Sequence, residues 1–141
     1  MLPDAGTFAR QVAGLGVSNS DQIIVYDTVG IFSAARVWWM FKAMGHAPVA
    51  VLDGGLPAWQ RAGGDMDSGP ARPAAGRFSA ALDRRLRATC ADVKAALAAG
   101  TTAIVDARPA ARFNGEAPEP RPGLAMGHNA GGHQHSVYGC H

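Results

Sequence analysis

The sequence predicts an α/β fold, a parallel β-sheet flanked by helices. Ile23–Tyr26, Val49–Leu52 and Thr102–Val105 are short, mostly apolar runs rich in β-branched residues, not alternating ones. That is the pattern of parallel strands covered on both faces. Segments of helical spacing lie between the runs. A Gly- and Pro-rich stretch from Gly63 to Gly76, GGDMDSGPARPAAG, then breaks the chain into two parts.

Taken in order, Asp4 follows a proline and is placed to cap a helix over Ala5–Leu15, with Phe8, Val12 and Leu15 on one face. Gly16 ends it. Val17–Gln22 is a polar turn and Ile23–Tyr26 the first buried strand. Asp27–Gly30 turns the chain into a second helix running to about Met44, with Phe32, Ala35, Arg36, Trp39 and Met40 three and four apart. Val49–Leu52 is the second buried strand, completing a strand–helix–strand unit expected to be parallel and right-handed. Leu56–Ala62 is a short helix with Pro57 in its first turn, where the missing N–H is harmless.

Beyond the linker, Phe78–Leu82 is a short extended piece. Thr89 or Cys90 starts a helix to Ala99, with Val93, Ala96 and Leu97 inward and Gly100 as its cap. Thr102–Val105 is the third buried strand. Ala107–Phe113 forms a turn and one helical turn, and Asn114–Gly127 is a loop too rich in Pro, Glu and Gly for regular structure. From Gly127 the chain reads GHNAGGHQHSVYGCH, without period or apolar content to build on.

Composition narrows the function. With 141 residues and 48% hydrophobic content the chain can bury a core. A net charge of +2, and one basic cluster at Arg84-Arg85-Leu86-Arg87 without interleaved aromatics, argue against nucleic acid as a partner. No run of about 18 apolar residues and no leader pattern is visible, so no membrane association is expected. Two cysteines, Cys90 and Cys140, make no disulfide framework. The expected setting is cytoplasmic.

Five features bear on chemistry. The strand-to-helix turn Asp27–Ser33 has the form of an anion cradle, because the first amides of a helix point into such a turn. Its first position is Asp27, which is no sulfur nucleophile and would itself fill the cradle with negative charge; spacing alone favours a turn that merely links strand to helix. Trp38, Trp39 and Met40 are assigned to the core. Arg112 and Arg121 bracket the Pro-rich loop, and two readings stand open for them. They converge on one anion, offering paired donors to carboxylate or sulfonate oxygens, or they pair with Glu116 and Glu119 on the surface. His128, His133, His135, Cys140 and His141 lack the paired spacing of a zinc knuckle, so no metal or other cofactor is expected. Cys90, at a helix start without a preceding strand or glycine cradle, reads as incidental.

Tyr26–Trp59, with SAARVWWMF and VLDGGLPAW, resembles the two-domain sulfurtransferases, the family of thiosulfate sulfurtransferase (rhodanese) and 3-mercaptopyruvate sulfurtransferase. So does Val105–Gly123, VDARPAARFNGEAPEPRPG. The resemblance covers Met1 to His128. It implies two incomplete rhodanese-like domains: residues 1–64 as the C-terminal half of a first, non-catalytic domain, 65–79 as linker, and 80–128 as the N-terminal half of a second, catalytic domain. Residues 129–141 depart from the family and fit a shifted reading frame. The implied activity moves a sulfane sulfur from thiosulfate or 3-mercaptopyruvate, through a cysteine persulfide, to cyanide or a thiol. Asp27 stands where the catalytic domain would carry its cysteine, so this chain alone is expected to be inactive. It reads alternatively as a non-catalytic binding module or an inactive gene fragment. Arg112 and Arg121 match the arginines that hold the anionic donor.

Overall fold

A computed structural model describes residues 2–30, 32–71, 73–129 and 131–134. The chain divides into two compact units, Met1–Arg87 and Ala88–His141. The division falls after the composition break at 63–76, because residues 76–87 pack with the first unit.

In that unit, α1 (Ala5–Gly14) begins where the Asp4 carboxylate accepts the Thr7 amide at 2.9 Å. β1 (Ile23–Val25) and β2 (Val49–Val51) pair in parallel with Ile23 opposite Val49 and Val25 opposite Val51. The crossover between them is α2 (Ala34–Ala43), and α3 (Gly55–Arg61) follows β2. Phe8 and Val12 of α1, Phe41 beside Met44 at the end of α2, and Val49 form one buried cluster, with Ile23, Val25 and Met40 packed against it.

The strands are not covered on both faces. Ile23 and Val25 turn toward the cluster, while Ile24 and Tyr26 are 52% and 56% exposed. α1, α2 and the chain around Phe78 all lie with the buried side chains, leaving the opposite face to the short α3. That face forms an open cleft of about 620 Å³ lined by Ile24, Tyr26, Leu52, Leu56, Trp59 and Met66, with Asp65 and Asp67.

The assignment of the Trp38–Trp39–Met40 face to the core is corrected in the same way. Trp38 is exposed, and Trp39 and Met40 are half-buried. Phe32 is exposed, and the buried residues of α2 are Ala34, Phe41 and Ala43. Each indole lies across the rim and uses its polar edge: Trp38 Nε1 donates to Val49 O and Trp39 Nε1 to Leu86 O, both at 3.1 Å. An amphipathic ring at a rim satisfies its N–H without full burial. Leu15, placed by spacing on the inner face of α1, is also exposed, because the helix has closed before it.

Residues 76–83 form a strap with almost no regular structure of its own. Its backbone bonds run to distant partners: Gly76 N to Ala13 O, Ala81 N to Met44 O and Asp83 N to Ala43 O. Asn19 and Ser79 exchange side-chain and backbone bonds. Phe78 meets Phe8 and Phe41 edge-on, at 6.1 and 6.0 Å between centroids. A Cβ on Gly76 would sit 2.2 Å from Val17 O, so only glycine lets the strap lie this close. Gly76→Ala is expected to cost about 1–3 kcal/mol, the usual range for forced overpacking. Limited proteolysis is expected to cut first between residues 76 and 83; an unchanged denaturation midpoint and cleavage pattern would contradict this.

In the second unit, α4 (Cys90–Ala99) carries a capping box in which Thr89 and Asp92 bond reciprocally, and Gly100 closes it in the left-handed region. Val93, Ala96 and Leu97 are the half-buried positions of α4, as its spacing predicts. The third strand is shorter and more open than expected. β3 is only Val105–Asp106, with Val105 exposed, and its parallel partner is β4 (His133–Gln134) in the segment expected to lack structure. A single helical turn, α5 (Ala110–Phe113), precedes the loop. Among its described residues none is buried, so hydrogen bonds and ion pairs carry a large part of this unit's order.

Candidate functional site

The turn after β1 is an anion cradle with an occupant. The Asp27 carboxylate accepts five backbone N–H groups. Oδ1 takes Val29 at 3.0 Å and Gly30 at 2.9 Å; Oδ2 takes Phe32 at 2.6 Å, Ser33 at 2.9 Å and Ala34 at 3.0 Å. The last three precede or open α2, where helix amides lack intrahelical partners and the dipole favours negative charge. These amides, Ala34 and Phe32 foremost, hold the Asp27 carboxyl well below the ordinary carboxylate range, against the opposing effect of burial. The Asp27 carbonyl also accepts the Leu56 amide at 2.9 Å, so one residue ties β1 to the starts of α2 and α3. Gly55 makes that junction possible: its φ is +57°, and a Cβ there would lie 2.5 Å from Asp27 O. The sequence reading that Asp27 would fill the turn with its own charge describes this geometry.

In the second unit the organising residue is Arg108, which the sequence reading passed over. Its guanidinium meets Asp106 bidentately, Nε to Oδ1 at 3.0 Å and Nη2 to Oδ2 at 2.6 Å. Nη1 donates to Glu119 Oε1 at 2.6 Å and Nη2 to the Gly127 carbonyl at 2.8 Å. This network pins the loop 114–127 to the end of β3. The Arg108 side chain pulls the Asp106 carboxyl down to about 2 and its own pKa is raised in turn. An acidic residue two positions before an arginine, directly after a strand, was the available signal.

Arg112 and Arg121 are treated differently. Arg112 Nη1 lies 3.7 Å from Glu119 Oε2, beyond hydrogen-bond length, with its side chain 29% exposed. Arg121 is exposed and has no hydrogen bond or ion pair among the described residues. Glu116 accepts instead from Asn114 Nδ2 at 3.2 Å. The surface-pairing alternative therefore holds only for Arg112, and only loosely.

His128 stacks on Phe113 at 3.8 Å between centroids, with Nδ1 2.8 Å from the Phe113 carbonyl. Among the described residues no group of three or more His, Cys, Asp or Glu is placed to hold a metal ion; His135, Cys140 and His141 lie outside them. Cys90 is an exposed free thiol at the start of α4. No helix among the described residues is long and apolar enough to cross a membrane. The cleft beside Trp59 has an apolar lining and two carboxylates at its edge, which suit a small anion poorly.

Comparison with known proteins agrees with this framework. Residues 2–62 match the model of the rhodanese-like domain. Human 3-mercaptopyruvate sulfurtransferase is 43% identical over 133 residues, which cover 93% of this chain and 45% of that protein. The 3-mercaptopyruvate sulfurtransferase of Escherichia coli K12 is 44% identical over 131 residues, covering 93% and 47%. The crystal structure of SseA from Escherichia coli, described with the rhodanese fold of the 3-mercaptopyruvate sulfotransferases, superimposes with a TM-score of 0.84 at 40% identity, over 95% of this chain and 50% of that one. The chain thus spans about half the length of these relatives. With the parallel strands, the crossover helix and the strand-to-helix turn all in place, it has the rhodanese fold, and along most of its length its sequence is similar to the sulfurtransferases that share that fold.

Proposed function

We propose that this chain is the donor-holding part of a sulfurtransferase that moves a sulfane sulfur from thiosulfate or 3-mercaptopyruvate, through a cysteine persulfide, to cyanide or a thiol. On this reading residues 1–64 are the C-terminal half of the silent domain and residues 80–128 the N-terminal half of the catalytic one, in a cytoplasmic setting. Arg112 and Arg121 hold the anionic donor. Support comes from the loose and absent pairing of these two side chains, which leaves guanidinium donors for an incoming oxyanion.

The observation that carries the non-catalytic half of the proposal is the Asp27 carboxylate with its five amide donors. A cradle satisfied internally has no donors left for a persulfide or a transition-state anion, and a carboxylate is no sulfur nucleophile. The chain therefore binds donor and does not turn it over. Purified chain mixed with thiosulfate and cyanide is expected to form no thiocyanate above background. Titration with thiosulfate is expected to give saturable binding that Arg112→Gln and Arg121→Gln each weaken. Turnover abolished by Cys90→Ser would overturn the proposal and move the chemistry to Cys90.

The second reading, a non-catalytic binding module, draws on the same filled turn. It predicts a protein partner lost on Arg36 substitution with the fold retained.

A further inference from the structure

The contacts of Glu119 are unequal, and the inequality has a functional reading. Oε1 lies 2.6 Å from Arg108 Nη1, whereas Oε2 lies 3.7 Å from Arg112 Nη1. Arg108 is itself fixed by Asp106 and by the Gly127 carbonyl. Glu119 is therefore anchored on the Arg108 side and cannot follow Arg112 when that side chain moves. Its carboxylate is only 8% exposed, so water screens it poorly, while Arg112 reaches partly into solvent. Asp106 and Glu119 together balance Arg108 and Arg112 in charge.

We propose that Glu119 is a built-in competitor for the donor anion: it occupies the inner side of Arg112 loosely, and an incoming carboxylate or sulfonate-like oxyanion displaces that one weak contact. This rests on the reading that Arg112 holds the donor and adds what sets its affinity. Glu119 lowers affinity without blocking the site, because the contact given up is long. The opposite role, a pure scaffold for the loop, predicts the opposite sign: removing Glu119 would slacken the loop and weaken binding.

The test uses the full chain and thiosulfate, with binding followed by calorimetry at low salt. Glu119→Gln keeps the size and an acceptor oxygen for Arg108 but removes the charge facing Arg112. It is expected to tighten thiosulfate roughly threefold to tenfold, the scale of a partly exposed charge pair, and the gain is expected to shrink as salt is raised. Glu116→Gln removes an equal charge from the same loop without touching Arg112 and is expected to change affinity less. Should Glu119→Gln lose the native circular dichroism spectrum, Glu119→Asp decides instead; its shorter arm keeps Arg108 and retreats from Arg112, so it too should tighten binding.

Unchanged or weaker binding by the folded Glu119 variant, with Arg112→Gln still weakening it, overturns the competitor and leaves the donor site standing. Equal tightening by Glu116→Gln also overturns it, leaving only net charge. Binding indifferent to Arg112→Gln, or absent from both the wild type and Glu119→Gln, overturns the donor site and the competitor together.

Discussion

Replacing Asp27 with asparagine is expected to lower the denaturation midpoint of the first unit sharply and to flatten its dependence on acid. The carboxylate is the common acceptor for five amides, three of which begin α2 or immediately precede it. An asparagine side chain offers one oxygen where two are used, and turns an NH₂ group against donors on the other side. The amides left over have no intrahelical partner to fall back on. The same residue receives the α3 amide on its carbonyl, so distortion of the turn spreads to both helices. Asp27→Ala removes every acceptor and is expected to be worse.

The acid dependence follows from the direction of the Asp27 shift. Its folded pKa lies below the ordinary value of 3.8, which stands for the unfolded chain. The folded state therefore holds fewer protons than the unfolded one through this window. The contribution is complete above about pH 5 and is lost as pH falls from there toward the folded pKa. All three tryptophans, Trp38, Trp39 and Trp59, lie in the first unit, so urea denaturation followed by their fluorescence reads it selectively. Wild type is expected to lose midpoint between pH 5 and pH 2.5, and Asp27→Asn to start low and change less. Equal midpoints at pH 7, or parallel acid profiles, would show that the five contacts contribute nothing net.

Much of this fold is legible in the sequence where the cause is local. The Asp4 cap, the inward positions Val93, Ala96 and Leu97, and the left-handed Gly100 follow from spacing and backbone chemistry within a few residues. The parallel pairing of Ile23–Val25 with Val49–Val51 follows from two apolar runs separated by a helix. What spacing does not carry is which side of an apolar element is covered. Trp38, Ile24 and Leu15 are apolar enough for a core, yet the described chain packs α1, α2 and the strap on one side of the sheet and leaves the other to the short α3. Of the strap 76–83 the sequence shows only a short extended piece at Phe78–Leu82; its packing was invisible because it has no period, and its partners Ser18 and Asn19 lie about 60 residues away. Arg108 was missed for a similar reason: its value depends on a loop returning Glu119 eleven positions later. Asp27 was readable in part: its charge filling the turn is a matter of one residue's chemistry, whereas spacing alone favoured a turn that merely links strand to helix and did not show the five amides converging on it.

The strap also explains why one ring outweighs the rest of the core. Phe41 meets Phe8 at 5.2 Å and 73°, Phe78 of the strap at 6.0 Å and 74°, and His46 at 5.7 Å. It is the point where α1, α2 and the strap converge, and its carbonyl accepts the His46 amide that ends α2. Truncation of a buried phenylalanine typically costs about 3–5 kcal/mol, against a total stability of about 5–15 kcal/mol for an ordinary domain. His46 decides where in that range Phe41→Ala falls. Its Nε2 is buried with no hydrogen-bond partner among the described residues, and the space vacated by the ring would let water reach it. That gain offsets part of the loss, so the lower end, about 3 kcal/mol, is expected. Phe41→Leu, which keeps most of the volume, is expected to cost about 1–1.5 kcal/mol. Because Phe78 loses its central partner, cleavage between residues 76 and 83 should accelerate in Phe41→Ala even below the unfolding transition. A Phe41→Ala protein with the wild-type midpoint and an uncut strap would mean that the cluster is not the unit's core.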